Sequence, residues 1–422
     1  MTAPAPPAAS DPPATTSAGA RALRRLAAAL THRDFRILWC AACTSTIGTW
    51  MQRVAQSWLV LTVTGSAFYL GLDSFLGELP ILLFTLIGGV VADRHDRRRL
   101  LTGSQVVQMT CAFVLMAIVW TGVVRIEHIL ALSFISGTAQ AFGGPAYQSL
   151  IPQLVSKDHL PNAIALNSIQ FNIARVFGPL LAGVTLAAFG SAACFGLNGL
   201  SFVAVIVGLM LLRVDARPAA SGRSLLEELR GGLSYVKGQP ALVAMTALAF
   251  LSTFLGLPLL TFLPVFAQSI FASGVGGYSR MMAFSGAGAV AGALVVAWLG
   301  RYAHMGRTLL VVLAVFGVLI VGFSFSRVLW VSHALLVASG AALIVVFSML
   351  TSLVQLIAPN EMRGRVMSIY MVAFRGGSPL GSLAAGYAAS QFSAPAVLAV
   401  NGVLLVLVAA YFLARGHDVR SL

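Results

Sequence analysis

The sequence has 422 residues, of which 58% are hydrophobic and only 9% are charged, and its mean hydropathy is +0.88. Soluble domains carry about 25% charged residues, so this composition excludes a water-soluble fold. The formal net charge of +14 has two explanations, nucleic-acid binding or membrane topology, and the positions of the basic residues decide between them.

Twelve apolar stretches along the chain are long enough to cross a bilayer as helices. In chain order they cover roughly 36–62, 66–92, 100–124, 128–150, 164–189, 191–213, 241–267, 278–300, 307–325, 330–357, 365–390 and 394–414. They lack the alternation of membrane-barrel strands, and helices satisfy their own backbone polar groups within lipid. The sequence therefore predicts an all-α polytopic membrane protein with both termini on one side.

The 27 Lys and Arg residues are distributed unequally between the two sides of these spans. Only Arg125, Arg280 and Arg327 fall in connections on the side opposite the termini. Because basic residues accumulate on the cytoplasmic side, we expect both termini in the cytoplasm and the chain in the inner (cytoplasmic) membrane. The basic excess then reflects topology, and no nucleic-acid partner is expected.

The chain divides into two halves at its longest polar connection. Residues 31–213 and 241–415 form two predicted six-helix bundles, flanked by cytoplasmic tails at 1–30 and 416–422. The first tail is rich in Pro, Ala, Ser and Thr and lacks the apolar core of a signal peptide, so we expect it to be disordered. Apolar residues at helical spacing predict an interfacial helix in the cytoplasmic linker 214–240, and they are Leu225, Leu226, Leu229, Leu233 and Val236.

A repeated segment indicates that the two bundles are pseudo-symmetric. Arg175-Val-Phe-Gly-Pro-Leu in the fifth span returns as Arg375-Gly-Gly-Ser-Pro-Leu in the eleventh, its sixth neighbour. Internal repeats of this kind are typical of secondary transporters.

Charged side chains inside the spans mark a polar interior. A charge at mid-bilayer costs about 2.5–3.5 kcal/mol even on insertion scales, so each must face protein or a water-filled cavity. Thr49, Gln52 and Gln56 share one face of the first span, with Arg53 at its edge. Hydrogen bonding between helices is the alternative explanation for the uncharged candidates. The predicted cavity or substrate residues are Thr49, Gln52, Arg53, Gln56, Gln140, Gln148, Arg175 and Arg375.

Asp73 and Glu78 are the only acids inside the spans, and they point about 140° apart on a helix because five residues separate them. Either is a candidate for proton coupling, because burial and a neighbouring arginine shift an acid's proton affinity in opposite directions. Static pairing with an arginine is the alternative for both acids. Arg175 and Arg375 could likewise join the two bundles or hold an anionic substrate.

The connection between the second and third spans reads Gly89-Val-Val-Ala-Asp93-Arg94-His-Asp-Arg97-Arg98. It resembles the loop motif of the major facilitator superfamily, G-x-L-A-D-R-x-G-R-K, with Asp96 in place of the second glycine. The resemblance implies a conformational switch in which the motif contacts a neighbouring helix near the eleventh span. The switch residues that it implies are Gly89, Asp93, Arg94, Arg97, Arg363 and Arg365.

Two further segments resemble exporters of that superfamily. The fifth span resembles their antiporter motif, with Ala174, Gly178, Pro179 and Gly183 at four of its positions. The segment 32–58 resembles the drug:proton antiporter-3 branch, which includes enterobactin and macrolide exporters. The resemblance implies two bundles rocking around a central cavity, with proton-driven transport and without a nucleotide site.

The sequence thus predicts a secondary transporter and not an enzyme, with neither a cofactor nor a metal site. The leading hypothesis is a proton-coupled exporter (antiporter) of small amphipathic compounds such as drugs or siderophores, working by alternating access. The alternative is a proton-coupled importer (symporter) of a small metabolite. The expected partners are membrane lipid, a small-molecule substrate and protons, and we expect a monomer.

Overall fold

A computed structural model describes residues 28–213, 225–300 and 304–415, which form helices joined by short connections. The first half contains α1 (Arg33–Thr64), α2 (Ala67–Arg94), α3 (Arg97–Trp120), α4 (Ile126–Leu150) and the pair α5 and α6 within Leu160–Met210. The second half contains α7 (Pro240–Ile270), α8 (Gly274–Leu299), α9 (Met305–Phe325), α10 (Leu329–Ile357), α11 (Arg363–Gln391) and α12 (Ala394–Arg415). A linker helix, Leu225–Lys237, lies between the halves.

Local sequence explains where several helices end. α1 stops at Gly65, whose φ of 62° is a left-handed conformation that glycine adopts readily. Ser66 then caps α2, with its side-chain oxygen accepting a hydrogen bond from the N–H of Phe68 at 3.3 Å. Gly190, with a φ of 78°, interrupts Leu160–Met210 and separates α5 (160–189) from α6 (191–210).

α7 departs from a regular helix. It runs as Pro240–Gly256, restarts as Pro258–Val265 and ends in a π-helical turn over Phe266–Ile270. Pro258 has no N–H to donate, and its ring crowds the preceding turn, so the hydrogen-bond ladder breaks there. The predicted span 241–267 treated this region as one continuous helix and did not include the break.

The twelve predicted spans each coincide with one of the twelve helices. By length and apolar composition, eight helical segments of the described chain are suited to crossing a membrane, and one of these contains both α5 and α6. The other long helices, α1, α4 and α11, are less apolar because they carry more polar side chains. The predicted all-α membrane fold is confirmed. The predicted tails lie mostly outside the described residues, as does the linker segment 214–224, and the interfacial position of the linker helix stays a prediction.

The two halves have equivalent arrangements and meet along two helix pairs. In the first half α1 packs against the α5–α6 segment and α2 packs against α4. In the second half α7 packs against α11 and α8 packs against α10. Between the halves α2 contacts α11 and α5 contacts α8. These two contacts are equivalent, because α8 is the counterpart of α2 and α5 is the counterpart of α11 when each helix is matched with the one six places away. A pseudo-two-fold relation between the halves requires this equivalence.

In the described residues, the closest approaches between the halves lie toward one end. We call the end where α1 begins and α12 ends the basic end. Toward the other end, a Cβ added to Gly71 of α2 would overlap the carbonyl oxygen of Ser382 in α11. A Cβ on Gly183 of α5 would lie 2.8 Å from the Cβ of Ser279 in α8. Toward the basic end, α2 and α11 instead diverge around a cleft of about 370 Å³.

Candidate functional site

Asp73 of α2 is buried between three helices of the first half, with 9% of its surface exposed. The side-chain amide of Gln56 in α1 donates to both carboxylate oxygens, at 2.9 and 3.0 Å. The hydroxyl of Ser133 in α4 donates to Oδ1 at 2.5 Å. The Gln56 amide also donates to the Ser133 hydroxyl oxygen, at 2.8 Å. The carboxylate therefore joins α1, α2 and α4, and these bonds depend on its protonation state.

The hydrogen bonds continue from Gln56 along α1 to α6. Gln52, one turn before Gln56 on the same face, donates to the Gln56 amide oxygen at 3.5 Å. Asn198 of α6 donates to the amide oxygen of Gln52 at 2.6 Å, and Ser201 donates to Asn198 at 3.1 Å. We call Gln52, Gln56, Asp73, Ser133 and Asn198 the polar network.

Two of the predicted arginines lie beside one aromatic ring. The guanidinium carbon of Arg53 is 5.0 Å from the ring centroid of Trp50, and that of Arg175 in α5 is 5.7 Å away. The rings of Trp50 and Phe171 meet edge to face, with centroids 5.9 Å apart. Gly178 of α5 allows α5 to approach Trp50 of α1 closely, because a Cβ at this glycine would overlap the Cβ of Trp50. The side chains of Arg53 and Arg175 thus lie close together, beside Trp50, where α1 meets α5.

The third predicted arginine, Arg375, lies in the cleft between α2 and α11. The cleft is mostly apolar, so the guanidinium is the strongest polar feature on its wall. The remaining lining residues are Ile81, Leu82, Thr85, Leu86, Gly364, Met367, Ser368, Met371 and Val372.

The other predicted cavity residues do not join the polar network. Thr49 and Gln148 are exposed, and Gln140 accepts a hydrogen bond at 3.3 Å from Gln108 of α3, in a separate interhelical group. Glu78 is half-buried, and within the described residues it has neither a hydrogen bond nor an ion pair. The two acids of α2 therefore occupy different environments.

The loop after α2 is fixed to the first half. Asp93 near the end of α2 and Arg97 at the start of α3 form an ion pair of 3.5 Å, and Arg97 also donates to the carbonyl oxygen of Ser149 at 3.4 Å. Asp96, the departure from the superfamily motif, caps α3 by accepting from the N–H groups of Arg98 and Arg99. An aspartate suits this place because the first N–H groups of a helix lack internal partners.

The second half does not contribute an ion-pair partner to this loop in the described residues. Arg363 donates to the carbonyl oxygen of Gln355 at 3.1 Å. A Cβ on Gly232 of the linker helix would lie 2.8 Å from the carbonyl oxygen of Arg365. Arg94 is exposed, and a Cβ on Gly89 would meet nothing within 4 Å. The predicted contacts of Arg363 and Arg365 with Asp93 are thus unformed in this conformation, in which the basic end is open.

The small residues of α5 place this helix between α1 and α8. Ala174 is fully buried, and Pro179 lies inside the helix. Gly178 faces Trp50 of α1, whereas Gly183 faces α8. Residues without a bulky side chain allow such approaches, and the proline leaves one backbone carbonyl without its usual donor.

Sequence reasoning missed Ser133 and Asn198. Both complete the polar network from helices that no spacing rule aligns with α1. Asn198 had a usable signal, because it is the only amide side chain in an otherwise apolar sixth span. Ser133 had none, since serine is common in membrane helices.

Comparison with known proteins identifies the family and supports the fold. A family model described as transmembrane secretion effector matches residues 26–418. The staphyloferrin A transporter of Staphylococcus aureus is 26% identical over 377 residues, covering 87% of this chain and 92% of that protein. The multidrug efflux pump Tap of Mycolicibacterium fortuitum is 27% identical over 389 residues, covering 89% and 94%. The crystal structure of the nucleoside transporter NupG superposes with a TM-score of 0.73 at 14% identity, covering 91% of this chain and 99% of that one.

Proposed function

Because the chain belongs to the transmembrane secretion effector family of the major facilitator superfamily, we propose that it is a proton-driven exporter of small amphipathic compounds such as drugs or siderophores. The observation that carries the proposal is Asp73, a carboxylate buried within the membrane helices and bonded to α1 and α4. The relatives named for efflux favour export over import.

The basic end is placed in the cytoplasm by the positive-inside rule. The cleft between α2 and α11 then opens toward the cytoplasm, while the halves touch at the outer end. A compound entering from the cytoplasm would find this conformation accessible. Release outside would require the α2–α11 and α5–α8 contacts to part and the cleft to close, which is alternating access by rocking of the two halves.

Asp73 is the proposed proton carrier. When ionised, the carboxylate accepts hydrogen bonds from Gln56 and Ser133. When protonated, it gains a donor of its own and competes less well for those two groups. Proton binding from outside would therefore change the contacts among α1, α2 and α4, which couples protonation to the position of the first half.

Proton entry supplies enough free energy for this task. Each proton yields about 2.3 kcal/mol per 100 mV and about 1.4 kcal/mol per pH unit, so one proton supports at least a tenfold substrate gradient.

Asp93 is the proposed contact for the opposite conformation. Its side chain is 41% exposed, and Arg97 is its one ion-pair partner among the described residues, so it is accessible to a second partner. As the basic end closes, Arg363 or Arg365 would come within reach of Asp93. The ion pair would then exist in one access state only and bias the equilibrium toward it.

The test is dye efflux from energised cells that express the protein. Ethidium efflux above the empty-vector level that stops when an uncoupler is added is the expected result. Asp73→Asn should abolish this efflux while the protein remains in the membrane, and Glu78→Gln is the matched control on the same helix. Efflux that persists in Asp73→Asn would exclude this carboxylate as the carrier, and energy-dependent accumulation would indicate an importer.

A further inference from the structure

Arg53 and Arg175 have no anionic partner in the described part of the chain. The ion pairs there join Arg33 with Asp34, Arg97 with Asp93 and Arg99 with Asp96, all at the basic end. No hydrogen bond from either guanidinium to a described protein atom accompanies the contact with Trp50. Each guanidinium carries five N–H donors, so all ten remain free of an acceptor among the described residues and are available to a ligand.

The acids of α2 offset only part of this pair of charges. Asp73 is close enough to Arg53 for an electrostatic interaction, but it forms no ion pair with it, and the charged side chain that acts on Arg175 is Arg53 itself. Within the described residues Glu78 has no ion pair either. Away from the span ends, the spans contain two acids and three arginines, which are Arg53, Arg175 and Arg375, so the interior retains an excess of positive charge even if both acids are ionised.

The backbone holds the two arginines near each other. Gly178 packs against Trp50 with no room for a side chain, which fixes α5 on α1 beside Arg175. Arg53 and Arg175 are near enough to repel. The face of a tryptophan ring attracts cations, but it does not neutralise them. An anion placed between the two guanidinium groups would supply the missing charge.

This arrangement is not a requirement of the repeated fold. Arg375 repeats Arg175 in sequence. In the structure, however, the glycine of α11 that packs on α7 as Gly178 packs on α1 is Gly377, and it meets Thr253 where Gly178 meets Trp50. The pairing of two arginines with a tryptophan is therefore specific to the first half. Because the second half folds without such a group, packing does not require Arg53 and Arg175 beside Trp50, and binding explains their placement better.

We propose that the exported substrate is an amphipathic organic anion whose carboxylate is held by Arg53 and Arg175, and whose apolar part lies against Trp50 and Phe171. The inference rests on the proposed function and specifies its substrate class. Guanidinium groups bind carboxylates with two parallel hydrogen bonds, which gives orientation as well as attraction. Phe171 is 51% exposed, and its ring centroid lies 5.9 Å from that of Trp50, so a ligand can contact both side chains.

The first test is binding of two matched probes to the full chain in phosphatidylcholine nanodiscs. The probes are pyrenebutyrate, an aromatic carboxylate, and its uncharged primary amide. We expect the carboxylate to bind at least about tenfold more tightly, the size expected for a charge-assisted contact. Arg53→Gln and Arg175→Gln should each remove most of this preference without weakening amide binding. Arg125→Gln, which removes the same charge at an exposed position before α4, should leave it unchanged.

The outcomes separate this inference from the export proposal. Equal binding of acid and amide, or a preference unaffected by both arginine variants, would overturn the anion site even if uncoupler-sensitive ethidium efflux persisted. Carboxylate preference without any energy-dependent efflux would retain the anion site and reject export. Loss of the preference in phosphatidylglycerol nanodiscs at equal ionic strength would assign the site to lipid headgroups and overturn its assignment to substrate.

Discussion

The two halves share a backbone arrangement but differ in the chemistry of equivalent positions. Asn198 of α6 and Asn401 of α12 occupy the same place in their helices, and each donates to the facing helix of its own half. Asn198 donates to the side chain of Gln52 at 2.6 Å, whereas Asn401 donates to the backbone carbonyl of Leu255 in α7 at 3.2 Å. The same contact ends on a polar side chain in one half and on backbone in the other.

The position equivalent to Asp73 is apolar. The approach of Gly71 to α11 has its counterpart in the approach of Ser279 to α5. Asp73 lies two residues after Gly71, and Met281 lies two residues after Ser279 with none of its surface exposed. The carboxylate is therefore replaced by a core residue in the second half.

The two donors to Asp73 also have apolar counterparts. Leu259 is the counterpart of Gln56, because each lies one turn after the residue that faces the asparagine, Leu255 or Gln52. Leu336 is the counterpart of Ser133, because each lies one turn before a glycine of its helix, Gly340 or Gly137. Leu259, Met281 and Leu336 all belong to one buried apolar cluster. The second half folds with leucine and methionine at these positions, so the fold does not require a buried polar network. This contrast agrees with the role proposed above for Asp73, because at these positions the hydrogen-bonded polar groups are present only in the half that contains the proposed proton carrier.

The largest effect that we expect is a loss of stability when a close helix contact present in both halves is disrupted. A Cβ on Gly137 would overlap the carbonyl oxygen of Gly77, and one on Gly340 would overlap that of Ser285. We expect Gly137→Val and Gly340→Val each to cost about 3 kcal/mol or more, because backbone must move to relieve the overlap. Thermal unfolding of purified protein would measure this. Gly276→Val, where a Cβ meets nothing within 4 Å, is the control. A large difference between the two buried sites would contradict equivalent packing.

The second largest effect is expected on efflux, when residues of the polar network are replaced by their counterparts from the second half. We expect Asp73→Met with Gln56→Leu to eliminate uncoupler-sensitive efflux while the free energy of unfolding stays within about 2 kcal/mol of the parent protein. The physical reason is that buried polar groups are exchanged for apolar ones of similar size. Met281→Leu is the matched control in the second half. Loss of the folded protein in the double variant would mean that the network is structural.

The fold and part of the site follow from the sequence. Span positions were predictable because apolar length and backbone satisfaction within lipid allow few alternatives. Gln52, Gln56 and Asp73 were singled out because polar side chains inside lipid are costly, and the structure brings these three together. Ser133 and Asn198 were missed because their roles depend on the rotation of α4 and α6 about their own axes, which sequence spacing leaves undetermined. The break at Pro258 was missed because proline is also tolerated within continuous membrane helices.

A smaller effect is expected at the proposed contact between the halves. Asp93→Asn should slow efflux several-fold while changing the free energy of unfolding by less than about 1 kcal/mol, because its ion pair with Arg97 is partly exposed. Asp96→Asn is the matched control, since asparagine also caps a helix and should preserve both stability and efflux. Efflux would be measured at equal membrane content. An Asp93→Asn variant as active as the parent would remove Asp93 from the switch.

The smallest effect tests the equivalent asparagines directly. Asn198→Ala removes the donor to Gln52 at the far end of the network, so Asp73 loses support only through two intervening amides. We expect about a two- to threefold slower efflux and a loss of about 1 kcal/mol in unfolding free energy, the usual worth of one hydrogen bond. Asn401→Ala should cost a similar amount of stability but leave efflux unchanged, because its partner is the backbone of Leu255. Equal slowing of efflux by both variants would show that the polar chemistry is not confined to the first half.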